Sequence, residues 1–111
     1  KFVLITVDYN SNKHTNELLL SLNKFSDVHL EIVIIFCGNH DSGKNLTYTQ
    51  LKLIESKENL GYFGGIKLGI SKINVADYNK IIVCNNDVIF KKLDLFKKIS
   101  QINDTVIAPS I

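Results

Sequence analysis

Phe2-Val3-Leu4-Ile5-Thr6-Val7 is a continuous apolar run without clean alternation. A strand with one wet face alternates in polarity. An unbroken run fits a strand covered on both faces, as in a parallel sheet. The same reading recurs at Glu31–Cys37 (EIVIIFC) and at Ile81-Ile82-Val83-Cys84. Thr47–Ile54 (TYTQLKLI) partly alternates and predicts a shorter strand. Val106-Ile107-Ala108 starts a last strand, which Pro109 ends or bends. Between the first two runs, Thr15 reads as an N-cap and Glu17 as a first-turn acid, with Leu18, Leu19, Leu22 and Phe25 following at helical spacing. A second helix carries Ile66, Leu68, Gly69, Ile70 and Ile73, and a third carries Leu95, Phe96, Ile99 and Ile102. The order β-α-β-β-α-β-α-β predicts an α/β domain: a mostly parallel sheet with helices on both faces.

Composition agrees with one globular unit over 1–111, since 45% of the residues are hydrophobic and 22% charged. No apolar run is long enough to span a bilayer, and no secretory signal pattern opens the chain. The net charge is +2, and all thirteen cations are Lys, scattered among acids. Nucleic-acid binders cluster Arg and Lys on one face, so nucleic acid is not an expected partner. Cys37 and Cys84 each end an apolar run, with no CxxC and no zinc spacing. They read as buried thiols of a reducing compartment, which implies a cytoplasmic location. Met is absent even at position 1, so the sequence reads as a piece of a longer chain.

Open parallel sheets bind ligands beyond the carboxyl ends of their strands. Three polar loops fall at that edge: 8–12, 38–45 and 85–87. Asn85-Asn86-Asp87 puts a carboxylate beside neutral amide oxygens, a ligand set suited to a hard cation such as Mg²⁺. The same tripeptide is also ordinary turn chemistry. Asn59-Leu60-Gly61-Tyr62-Phe63-Gly64-Gly65, followed by Gly69, allows close backbone approach to a ligand, and free N–H groups at Gly64 and Gly65 would face a phosphate if the helix begins there. Close packing of helix on sheet would equally require small residues. Tyr9, just past a central strand, has the position and shape to stack on a nucleobase. A half-exposed aromatic at a strand end is the plainer reading.

Gly38-Asn39-His40-Asp41-Ser42-Gly43-Lys44-Asn45 nearly matches a P-loop. Asn45 stands where that motif needs a Ser or Thr hydroxyl, and the β-prone Leu46-Thr47-Tyr48-Thr49 follows in place of a helix. His14 and His40 have no partners at ligand spacing and read as surface residues.

In order and spacing, the strand ending in Tyr9-Asn10-Ser11, the stretch Asn59–Gly65 with Gly69, and the strand ending in Asn85-Asn86-Asp87-Val88 resemble the amino-terminal half of family 2 glycosyltransferases, closest to a rhamnosyltransferase-like branch. Thr105-Val106-Ile107-Ala108-Pro109 resembles a strand that follows there. The resemblance covers nearly the whole chain and implies the amino-terminal part of a GT-A fold, a Rossmann-like sheet. It implies transfer of a sugar, with inversion, from a nucleotide-diphosphate-sugar donor to a saccharide or lipid-linked acceptor. Such an activity belongs to cell-wall or polysaccharide biosynthesis, at the inner face of the membrane if the association is peripheral. By the same resemblance, Asp87 would hold Mg²⁺ or Mn²⁺ against the donor diphosphate. Tyr9, Asn10, Asp41, Asn59, Gly61, Gly64, Gly65, Asn85 and Asn86 would line the donor site. The catalytic base is expected beyond Ile111.

The sequence departs from the family in three places, the first being Asn85, which stands where the first Asp of the metal motif often does. Phe36 or Cys37 stands where the family carries a base-reading Asp, and only Asp41 matches well nearby. Lys67 replaces a frequent Asn and reads as solvated. Two alternatives stand beside the transferase: a non-catalytic nucleotide-binding module, and a P-loop nucleotide hydrolase, which a strand at 47–54 would exclude.

Overall fold

The computed structural model describes residues 1–9, 12–22, 30–37, 51–56, 58–86 and 106–107, and structural statements refer to these. Five strands form one sheet: β1 (Phe2–Asp8), β2 (Leu30–Cys37), β3 (Leu51–Ser56), β4 (Lys80–Asn85) and β5 (Val106–Ile107). Their spatial order is β3-β2-β1-β4-β5, and all four pairings are parallel. Two α-helices, α1 (Asn12–Leu22) and α2 (Gly61–Ser71), and a single 3-10 turn at Val75–Asp77 complete the described elements. The α/β parallel architecture expected from the sequence is therefore the one observed. The predicted third helix, with Leu95, Phe96, Ile99 and Ile102, lies outside the described residues.

The unbroken apolar runs are explained by two separate cores, one on each face of the sheet. Leu4, Ile32, Ile34, Phe36, Ile82 and Cys84 pack with Leu18, Leu19 and Leu22 of α1. Val3, Ile5, Val7, Val33, Ile35, Cys37 and Ile81 pack with Ile66 of α2. Even-numbered residues of β1, β2 and β4 thus face α1 and odd-numbered ones face α2, while in β3 the parity is reversed, with Leu51 on the α1 side and Ile54 on the α2 side. The register keeps like with like: Leu4 pairs with Ile32 and Ile82, and Ile5 with Val33 and Val83. Buried between β1 and β4, the Thr6 hydroxyl donates to the Cys84 carbonyl at 2.8 Å.

Strand order positions the site. The chain leaves β1 for β2 and β3 on one side, then crosses back to lay β4 on the other side of β1. The crossovers around β1 therefore run in opposite directions, so the carboxyl ends of β1 and β4 are the switch point where open parallel sheets form their ligand crevice. In register terms, Val7 lies beside Asn85 at that edge.

Two expectations need correction. Helix α1 begins at Asn12, so Thr15 is inside the helix and is not its cap, and no acid lies in the first turn. The Thr15 side chain is fully buried and bonded to Asp8 instead. The third strand runs 51–56, where a strand over 47–54 is predicted; residues 47–50 lie outside the described ones. Lys52, Leu53 and Glu55 are exposed on this edge strand, which blurs its polarity signal. Strand β3 pairs parallel to β2 from Leu51, and residues 38–50, which include the P-loop near-match, lie outside the described ones.

Candidate functional site

On the α2 side of the crevice, Tyr9 emerges from β1 and its hydroxyl donates to Asn59 Oδ1. The same oxygen accepts the Gly61 backbone N–H at 3.1 Å. Asn59 therefore joins the end of β1 to the start of α2. Gly61 has φ of 74°, a left-handed conformation that penalises any side chain. The Tyr9 phenol is pushed above its ordinary range, chiefly by burial and then by neighbouring Cys37, while a Gly61 backbone hydrogen bond works the other way. It stays protonated at neutral pH and keeps its donor on Asn59.

The glycines that follow divide by role. A Cβ on Gly65 would lie 2.6 Å from Val7 Cγ2, and one on Gly69 would lie 2.7 Å from Ile35 Cδ1 and 2.8 Å from Ile5 Cγ2. These two let α2 rest directly on β1 and β2. The helix starts at Gly61 with Leu60 as its cap. Its ladder then takes up the N–H groups of Gly64 and Gly65, contrary to the expectation that these would be open. With the Gly61 amide on Asn59 and that of Leu60 at the cap, helix geometry gives the amides of Tyr62 and Phe63 no i−4 partner. Neither residue stands out in the sequence, because amide exposure depends on where the helix starts.

On the α1 side, Asp8 and Thr15 are both fully buried. The Thr15 hydroxyl donates to Asp8 Oδ2 at 2.6 Å, and the Asn86 amide donates to Thr15 Oγ1 at 3.0 Å. Asp8 and Thr15 escaped the sequence reading as site residues. Nothing in the spacing of an acid and a hydroxyl along one chain marks them as partners of Asn86.

The structure thus brings together Tyr9, Asn59 and Gly61, and sets Asn85, which is exposed, and Asn86 at the end of the neighbouring strand. Asn10, Asp41 and Asp87 lie outside the described residues. Phe36 and Cys37, the departures from the base-reading position, are fully buried in opposite cores. Lys67 is exposed. Among the described residues no cluster of three or more His, Cys, Asp or Glu could hold a metal ion. Asp8 is enclosed and bonded to Thr15. No helix among the described residues is long and apolar enough to cross a membrane.

A hollow of about 550 Å³ lies elsewhere, between the starts of β2 and β3 and the end of α2. Its polar groups largely satisfy one another. The Tyr78 hydroxyl donates to Glu31 Oε2, Lys52 Nζ to the Lys72 carbonyl at 2.9 Å, and Asn74 Nδ2 to Asp77 Oδ1 at 3.4 Å. It sits at the opposite edge from the crevice, so size alone does not make it the site.

No family model matches the chain. No curated protein matches it either. Among solved structures it is similar to Staphylococcus aureus TarS residues 1–349, with a TM-score of 0.69 and 22% identity over 90% of this chain and 31% of that one. A second S. aureus TarS structure gives 0.68 and 21%, over 90% of this chain and 19% of that one. The chain thus spans under a third of the structures it matches. At this identity the likeness is one of fold, and that fold is GT-A-like.

Proposed function

We propose that this chain forms the donor-binding part of an inverting family 2 glycosyltransferase, related to the rhamnosyltransferase-like branch. The observation that carries the reading is the junction of Tyr9, Asn59 and Gly61 beside Asn85, at the switch point of a GT-A-like sheet. Tyr9 offers a ring to the nucleobase, the open amides of Tyr62 and Phe63 face negative charge at a helix start, and Asn85 and Asn86 offer amides to ribose or phosphate. Asn10, Asp41, Gly64 and Gly65 complete the proposed donor wall, Gly65 by letting α2 approach.

Asp87 is the proposed ligand for Mg²⁺ or Mn²⁺, which when bound would act as a Lewis acid on the leaving diphosphate. The acceptor hydroxyl, of a saccharide or lipid-linked acceptor, would displace that diphosphate at the anomeric carbon. Its proton would go to a base outside these residues. A cytoplasmic location, peripheral at the membrane, fits such an acceptor.

Isothermal titration of this chain with nucleoside diphosphates, with and without Mn²⁺, tests the reading. Wild type should bind at least one of them more tightly with Mn²⁺, and Asp87→Ala should lose about tenfold or more of that gain, near 1.4 kcal/mol. Equal binding by the variant removes the metal assignment. No binding by wild type removes the donor assignment.

A further inference from the structure

We infer that Asp8 and Thr15 are positioning residues that set the orientation of Asn86, the residue that follows Asn85 at the end of β4; the inference rests on the donor-site reading above. Asp8 is fully buried at the last position of β1, where an apolar side chain would serve packing better. A carboxylate removed from water is costly unless it is hydrogen-bonded. Here Thr15, itself fully buried, supplies a bond at 2.6 Å.

Directionality does the rest. A hydroxyl has one proton, and that of Thr15 points to Asp8. Its oxygen can then only accept from Asn86, so it selects the Nδ2 end of that amide, which approaches at 3.0 Å. The Asn86 carboxamide is thereby fixed against a flip. The chain Asp8–Thr15–Asn86 links β1, α1 and the end of β4, the three elements that meet at the switch point. Asn86 directly follows Asn85, so its bond to Thr15 anchors the end of β4 where Asn85 is exposed. None of the three residues needs to touch the ligand for this to matter.

The test compares Thr15→Val, which keeps the shape and removes the hydroxyl, with Thr15→Ser, which keeps the hydroxyl. Two measurements are made on each folded protein: affinity for the nucleoside diphosphate that wild type binds best, and hydrogen exchange of the Asn86 side-chain amide by NMR. Thr15→Ser should bind within about threefold of wild type, whereas Thr15→Val should bind about three- to tenfold more weakly, the scale of one lost hydrogen bond. The Asn86 amide should be protected in wild type and Thr15→Ser and exposed in Thr15→Val, with protection of β1 and β4 backbone amides unchanged. A purely structural role would lower stability and leave affinity and Asn86 protection as they are, and that result overturns the inference.

Should Thr15→Val fail to fold, Asn86→Ala removes the outer bond and leaves Thr15 on Asp8. It should raise backbone exchange at Asn85 and residue 86 alone, and an unchanged rate there overturns the inference. If wild type binds no nucleoside diphosphate, the donor reading fails. The positioning chain then stands or falls on Asn86 protection.

Discussion

Gly65→Ala places a methyl carbon 2.6 Å from Val7 Cγ2 and 3.1 Å from Val7 Cγ1. Ordinary carbon contacts begin near 3.5 Å, so α2 or β1 must give by about 1 Å. Val7 has little freedom to comply. Both its methyls branch from Cβ, its side chain is stiff, and β1 is held between β2 and β4. Overpacking of this kind costs about 1–3 kcal/mol, while Ala in a helix interior recovers about 0.5–1 kcal/mol relative to Gly. The net expectation is a loss of up to about 2.5 kcal/mol, centred near 1, read from urea denaturation as a lower midpoint with an unchanged slope. Gly64→Ala is the control: its new carbon would meet only Leu60 Cβ at 3.1 Å, at the start of the same helix, so stability should stay within about 0.5 kcal/mol of wild type. Val7→Ala removes the obstructing methyls, so in a double-mutant cycle it should offset part of the Gly65→Ala loss, with about 1 kcal/mol of coupling. If Gly65→Ala equals or exceeds wild type in stability, or the cycle shows no coupling, α2 does not rest on β1 as described.

Other substitutions report on neighbouring features. Gly61→Ala meets no atom but must hold φ near 74°, so it should lose about 1–2 kcal/mol in the same assay, and Gly61→Asn should lose less. Tyr9→Phe removes the donor to Asn59 and should lower stability by about 0.5–1.5 kcal/mol, with weaker nucleoside diphosphate binding by titration calorimetry. The Tyr78 phenol is pushed up from 10.0 to about 12 by burial first and then by the Glu31 carboxylate it donates to. A folded-state value above the unfolded one gives stability that is full below pH 10 and is lost as pH rises through 12. The stability difference between wild type and Tyr78→Phe should therefore be flat to pH 10 and shrink above it; a difference that grows there would contradict the assignment.

Much of the fold is legible because its strands are covered on both faces. Burial on two sides leaves no polar position in Val3–Ile5 or Ile32–Ile35, and that absence of alternation is readable residue by residue. The edge strand β3 is harder, because exposed Leu53 and partly buried Ile54 share it with Lys52 and Glu55. Thr15 misleads for a related reason. A hydroxyl near a helix start fits a cap, and only the tertiary structure shows that Asp8 claims it. The site is legible in its pieces, since Tyr9 and the Asn59–Gly65 stretch stand out as strand end and glycine loop. Their contact, across fifty residues of chain, is a product of strand order. The glycines show the limit most clearly: composition cannot separate the backbone need at Gly61 from the packing need at Gly65.

The central claim is that a nucleotide-sugar occupies the crevice at the carboxyl ends of β1 and β4. Backbone and side-chain NMR of the chain titrated with nucleoside diphosphate and Mg²⁺ tests it most directly. The account predicts shift changes concentrated at Tyr9, Asn59, Gly61, Tyr62 and Asn85. Changes confined to Glu31, Lys52, Lys72 and Asn74, around the hollow at the opposite edge, would contradict it.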